Sequence, residues 1–321
     1  MWFWLSLITL LCWSGSDLFS KIGCRDADDK LSHLKMVIAV GTVMGLHAAF
    51  EIFVSGTPIS WSVIWTYLPV SLLYIGSMAL GYLGLRYIEL SVSSPICNSS
   101  GALVAVLTLL FVGGDDYSPL ALCAILLVCA GAIGLGVVDA TEDPELRAER
   151  QKDGNYKYAK SFLALALPVA YCLLDAAGTF ADNRVLEILT DRFLAAGMAA
   201  TRKECVDLAA ASANCAYELT FLAAAVVCFI YVVLIRKDKL IPRLEGPKYL
   251  GAICETAGQF AYIYAISDTS HLAMSAPIIA SYCAASVLWS RLFLKEKLSW
   301  KHYGTIGLIV IGIALMGMLD L

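Results

Sequence analysis

Glu255, Gln259 and Tyr262 recur at i, i+4 and i+7 within the otherwise apolar stretch 248–266, a spacing that sets all three on one face of a helix. A carboxyl, a carboxamide and a phenol on such a face can bind a proton, a cation or a hydrogen-bonding solute. An ionisable side chain at the centre of a bilayer costs roughly 2.5–3.5 kcal/mol on insertion scales, which makes it a functional candidate by default. Glu255 follows Lys248 by two turns, about 10 Å into the membrane at 1.5 Å per residue; the bland alternative is a structural hydrogen bond to a neighbouring helix. Asp175, with Tyr171 and Thr179 on its face, is the second candidate. Asp17 has Lys21 one turn on and reads as an interfacial ion pair, and His47 with Glu51 reads as a surface pair of the same kind. Pro95 and Pro277 fall early in two apolar runs, where a proline kinks the helix and frees carbonyls that can line a cavity. Asn98 and Ser99 follow Pro95 by a turn, and Ser281 follows Pro277. Trp13, Tyr82, Tyr262 and Tyr264 supply rings for a cation or an apolar solute. The candidate binding set is therefore Glu255, Gln259, Tyr262, Asn98, Ser99, Ser281, Asp175, Tyr171, Tyr82, Tyr264 and Trp13, with Glu255 and Asp175 doubling as proton carriers.

Apolar elements must position these groups. Of 321 residues, 59% are hydrophobic and only 16% charged, which excludes a soluble globular chain, where about a quarter of residues are charged. Ten apolar runs can be read, at 2–22, 33–54, 61–85, 91–112, 118–139, 159–181, 215–235, 248–266, 270–292 and 301–319. Each is long enough to cross roughly 30 Å of hydrocarbon as a helix. None alternates as barrel strands do, so the predicted fold is an all-α integral membrane bundle. Trp2, Trp4, Trp61, Trp65, Trp289 and Trp300 lie near run ends, as interfacial anchors do. The N-terminal Met-Trp-Phe-Trp carries no basic region, so the first run reads as a retained helix.

The 23 basic and 27 acidic residues cluster outside the runs, a balance that gives no reason to expect a nucleic-acid partner. Lys and Arg keep to run ends and connections, so a sugar phosphate or nucleotide sugar would lack a partner. Most of the 11 cysteines lie in apolar runs and read as small buried groups. No Cys or His spacing suggests a metal, and no phosphate-binding loop suggests nucleotide hydrolysis. Gly131-x-x-Gly-x-Gly reads as close helix packing. No cofactor is implied, and the chain reads as a non-enzyme.

The charged stretch 141–158 divides the runs five and five. One constant shift pairs Gly76 with Gly258, Tyr82 with Tyr264, Ser93 with Ser275, Pro95 with Pro277 and Ser99 with Ser281; a shorter one pairs Trp13 and Asp17 with Tyr171 and Asp175. The difference inserts extra residues in the connection near 182–214. Five helices per repeat force the halves into opposite orientations, so two inverted five-helix repeats are predicted, 1–140 and 159–321. Within the insertion, Val185, Leu186, Leu189 and Phe193 alternate with charges, which predicts a short amphipathic helix on the bilayer surface and a lid above the site. Cys205 and Cys215 are read as free thiols, because one helix through both would hold them about 15 Å apart.

Ten helices in two repeats, the prolines of the fourth and ninth, and the run Leu292-Phe-Leu-Lys-Glu-Lys-Leu-Ser-Trp followed by Gly304-Thr-Ile-Gly-Leu-Ile-Val-Ile-Gly resemble the EamA branch of the drug/metabolite transporter superfamily. The first half departs from the pattern, with Gly113-Gly-Asp-Asp-Tyr where the motif around Glu296 would repeat. The resemblance implies export or uptake of amino acids, drugs, sugars or other metabolites, and usually cytoplasmic termini. All Lys and Arg except Arg184, Arg192, Arg202 and Lys203 fall on the side reached after odd-numbered runs, so the positive-inside rule instead predicts both termini outside the cytoplasm of a cell membrane.

The reading is a gradient-driven, proton-coupled carrier for a small neutral, zwitterionic or cationic metabolite such as an amino acid or amine. Facilitated uptake of an uncharged sugar is the first alternative; a non-transporting receptor or lipid-handling protein is the second. The expected partners are a small-molecule substrate and the lipid bilayer, with monomer and homodimer both open.

Overall fold

The computed structural model describes residues 1–26, 28–88, 90–111, 118–141, 163–295 and 298–319. Among them every regular element is helical: α1 (Trp2–Cys24), α2 (Ser32–Phe50), α3 (Trp61–Tyr87), α4 (Leu90–Cys97), α5 (Ser100–Phe111), α6 (Pro119–Ala140), α7 (Leu163–Ala195), α8 (Arg202–Phe229), α9 (Pro242–Ile266), α10 (Leu272–Ala280), α11 (Tyr282–Phe293) and α12 (Trp300–Leu319). Helices satisfy their own backbone groups, which is what a segment in lipid requires. Among the described residues, seven helical stretches are long and apolar enough to cross a bilayer. The linker beyond Thr141, Gly113–Tyr117 and Glu296 lie outside the described residues.

Local chemistry sets several boundaries. Ser60 caps α3 by accepting from the Val63 N–H, and Thr201 and Glu204 close a reciprocal capping box at the start of α8. α2 and α8 both end in a π turn, at Glu51–Ser55 and Ile230–Ile235. The fourth and ninth runs are each broken into two helices, at Asn98–Ser99 and at Ser281, one turn after Pro95 and Pro277.

α1 packs along α9, α3 along α7, α2 against α8, α5 against α10 and α6 against α12. Lipid offers no hydrophobic drive for this association, so close backbone approach matters. A Cβ on Gly41 of α2 would stand 2.5 Å from the Phe221 carbonyl oxygen of α8, and one on Gly131 of α6 would stand 2.5 Å from Ile309 Cγ1 of α12.

Three elements differ from the sequence expectation. Residues 183–194 are helical, but they continue α7 rather than rest separately on the bilayer, with Leu186, Leu189 and Phe193 buried. Amphipathic spacing is the same in both cases; only packing against neighbours tells them apart. The connection to α8 is therefore confined to 196–201, and α8 starts well before residue 215, so no separate lid is formed by 182–214. Cys205 and Cys215 are free and buried on α8. Trp2 is also buried, its ring stacked 5.0 Å from His271, and Trp289 donates to Ser14 Oγ at 3.0 Å; both are packed inward, whereas Trp4, Trp61, Trp65 and Trp300 are exposed.

Candidate functional site

α1, α3, α7 and α9, with the two broken helices, wall a cavity of about 940 Å³ counted out to its open mouth. Three carboxyls face it: Asp17 from α1, Asp175 from α7 and Glu255 from α9. Asp17 Oδ2 accepts from Ser94 at 2.6 Å and Ser286 at 2.9 Å, the two serines coming from the two broken helices. Asp175 Oδ2 accepts from Ser100 at 2.7 Å, the first residue after the break in the fourth run. Ser16 hydrogen-bonds Glu255, and Asp17 and Asp175 are near enough to repel its charge. Among the described residues lining the cavity there is no Lys or Arg.

Rings and neutral polar groups complete the wall. Trp13 lies 5.0 Å from Tyr262 and 5.8 Å from Tyr282, and its indole N–H donates to the Glu255 carbonyl at 3.4 Å. Tyr171 and Tyr82 line the same space. The Tyr82 hydroxyl, Gln259 Nε2 and Ser20 Oγ are buried on the lining without a hydrogen-bond partner, although burying an unmatched polar atom costs about 1–3 kcal/mol.

Two polar layers flank the cavity. Where α1 gives way to α2, the buried Lys35 and Lys248 ammonium groups meet Asp29 at 2.8 and 3.0 Å, and Lys248 also meets Glu245 at 3.3 Å. Arg86 donates to the Asp29 carbonyl and to Ser32 Oγ, and Lys21 donates to the carbonyls of Leu85 and Ile88 at 2.7 Å each. Burial pushes the Asp29 carboxyl up, but hydrogen bonds from Lys35 and Lys248 outweigh it and hold the group below the usual range. On the other side, Tyr67, Tyr74, Tyr262 and Thr179 gather around Asp182.

Glu255, Gln259, Tyr262, Asp175, Tyr171, Tyr82, Trp13 and Asn98 all line the one cavity. Three candidates do not. Ser99 Oγ donates to the Pro95 carbonyl at 3.0 Å and Ser281 Oγ to the Ile278 carbonyl at 2.5 Å, so both repair the helix breaks instead of facing a solute. Tyr264 packs 5.3 Å from Phe260, away from the lining.

The two local ion pairs are also replaced. Asp17 and Lys21 take the long-range partners just described, and His47 Nδ1 meets Glu218 at 2.9 Å rather than Glu51. Glu218 is fully buried and also accepts from Asn214 at 3.0 Å. Lys21, Lys35, Arg86 and Lys248 are buried near helix ends, not solvated in connections.

Asp182 lies one residue beyond the end of the sixth apolar run, 159–181, and so falls outside the sequence candidates. Asp175, Thr179 and Asp182 stand at i, i+4 and i+7, the spacing that singled out Glu255, and a longer helix would have shown it.

Comparison with curated proteins finds no match. Among solved structures, a crystal structure 14% identical in sequence superposes with a TM-score of 0.60, over 98% of this chain and 96% of its own, and shares the fold. Residues 193–318 are similar to the EamA-like transporter family, and that match, with seven helical stretches among the described residues long and apolar enough to cross a bilayer, indicates a multi-pass membrane protein.

Proposed function

We propose that the protein is a gradient-driven, proton-coupled carrier of a small cationic or zwitterionic metabolite in a cell membrane, built as two inverted five-helix repeats around the cavity. The observation that carries this reading is the convergence of Asp17, Asp175 and Glu255 on a cavity with no lining Lys or Arg among the described residues. Charges held out of water need a partner or must be neutralised. Glu255 is the carboxyl whose charge both Asp17 and Asp175 repel, which makes it the one to alternate between a proton and a substrate ammonium. Such competition couples the two fluxes. Trp13, Tyr171, Tyr262 and Tyr282 offer ring faces to a cation. The packing of α1 on α9 and of α3 on α7 supports the repeat, since first and third helices exchange partners between halves.

In reconstituted vesicles with an imposed pH gradient, Glu255→Gln is expected to abolish accumulation of a labelled amine or amino acid while leaving some substrate exchange. Undiminished accumulation by this variant removes the coupling role. The unmatched Tyr82 and Gln259 groups favour one second reading, facilitated uptake of an uncharged sugar; transport that ignores the pH gradient selects it.

A further inference from the structure

Asp182 has no part in the transport scheme above, yet it is the most enclosed carboxyl near the cavity. It lies on α7 two turns beyond Asp175, about 10 Å along the helix, and is fully buried. Its Oδ1 accepts from Tyr67 at 2.6 Å and its Oδ2 from Tyr74 at 3.2 Å. Among the described residues no Lys, Arg or His stands within ion-pair distance of it. The titratable groups around it are Tyr67 and Tyr74 from α3, Tyr262 from α9, Tyr217 from α8, which packs on Tyr74, and Asp175 on its own helix. An ionisable group kept inside a membrane protein without a counter-ion is a functional candidate by default.

Counting hydrogens sharpens the case. Tyr74 and Tyr262 hydroxyls are 2.5 Å apart, and each lies near Thr179 Oγ1, at 3.3 and 3.1 Å. A phenol owns one hydrogen, so these contacts admit two directions. With Asp182 ionised, Tyr74 donates to Oδ2 and Tyr262 donates to Tyr74. With Asp182 protonated on Oδ2, that acid donates to Tyr74, Tyr74 donates to Tyr262, and Tyr262 donates to Thr179. Tyr67 occupies Oδ1 in both, which leaves Oδ2 to take the proton.

The two arrangements differ by one shift along the chain. A proton arriving at the Tyr262 oxygen releases the Tyr262 hydrogen to Tyr74, and Tyr74 releases its own to Asp182. Each phenol gains one hydrogen and loses one, and only Asp182 ends with one more. Tyr262, Tyr74 and Thr179 line the cavity, whereas Asp182 lies behind them. We propose that Asp182 is a second proton site, loaded from the cavity through the hydroxyls of Tyr262 and Tyr74. The proposal rests on the transport reading only in taking protons to reach the cavity.

Infrared difference spectra of the purified full-length protein in lipid, recorded after a pH jump, test it through the C=O stretch of protonated carboxyls. Wild type is expected to show a pH-dependent band that Asp182→Asn removes and Glu255→Gln leaves. Tyr262→Phe is expected to keep that band but slow its appearance. Tyr67→Phe, which removes the donor to Oδ1, is expected to shift its frequency, and so identifies the band even if Asp182→Asn fails to fold. Retention of every band in Asp182→Asn, a wild-type rate in Tyr262→Phe, or an unshifted band in Tyr67→Phe overturns the proposal. Accumulation that survives Glu255→Gln while the Asp182 band behaves as described refutes the coupling role of Glu255 alone.

Discussion

Asp29 shows how much one residue can tie together. It lies between α1 and α2, and its carboxylate oxygens meet Lys35 from α2 and Lys248 from α9. Removing one partner of a buried ion pair typically costs about 3–5 kcal/mol, because the other charge is left stranded. Asp29→Asn is therefore expected to lower the thermal stability of the detergent-solubilised protein at neutral pH. The sign of the pH effect follows from a carboxyl held below its ordinary range in the folded protein. Its stabilising contribution is complete above the unfolded value, about 3.9, and is lost as pH falls through the lower folded value. Melting curves should show wild type losing stability below about pH 4, with the acid limb flatter in Asp29→Asn. Parallel acid limbs in the two proteins would show that Asp29 titrates identically in folded and unfolded chains.

Among the elements, the two broken helices carry most of the site's shape. A proline removes a backbone donor and disturbs the turn before it; the Ser99 and Ser281 hydroxyls donate to backbone carbonyls beside the breaks, those of Pro95 and Ile278. Of the polar residues just after Pro95 and Pro277, Asn98 lines the cavity and Ser99 and Ser281 do not. The break also sets Ser100 where it reaches Asp175. Immediately beyond, Gly101 lets α5 approach α10 so closely that an added Cβ would stand 2.4 Å from Ala280 Cβ and 2.8 Å from the Ala276 carbonyl oxygen. Neither neighbour is a flexible side-chain end, so Gly101→Val must move a helix. Overpacking of this kind typically costs about 1–3 kcal/mol, and Gly101→Val is expected to melt at a lower temperature than wild type and to transport less. An unchanged melting temperature would show that the α5–α10 contact is looser than its geometry implies.

For the whole molecule, the distribution of positive charge sets the expected orientation. By the order of the apolar runs, Lys and Arg other than Arg184, Arg192, Arg202 and Lys203 fall on one side, the side of the polar layer that holds Lys21, Lys35, Arg86 and Lys248. Positive charge near helix ends stays cytoplasmic during insertion. A reporter fused after Leu321 is accordingly expected to report an extracytoplasmic C-terminus. Activity confined to a cytoplasmic reporter would reverse the assignment and put that polar layer on the outer side.

The membrane-spanning character and helical fold were legible from residue order, because both are decided locally: a run in lipid must satisfy its own backbone, and apolar length sets how far it reaches. The face shared by Glu255, Gln259 and Tyr262 was legible for the same reason, since helix geometry alone aligns them. Partner choice was not. Local rules matched Asp17 to Lys21 and His47 to Glu51. The folded chain joins Asp17 to Ser94 and Ser286, Lys21 to the carbonyls of Leu85 and Ile88, and His47 to Glu218, across 64 to 269 residues. In a dry interior a polar group must be matched wherever a partner can reach it, and packing of distant helices, not spacing along one of them, decides which partner that is. The same packing drew Asp182 into a tyrosine layer, an assignment that no single helix contains.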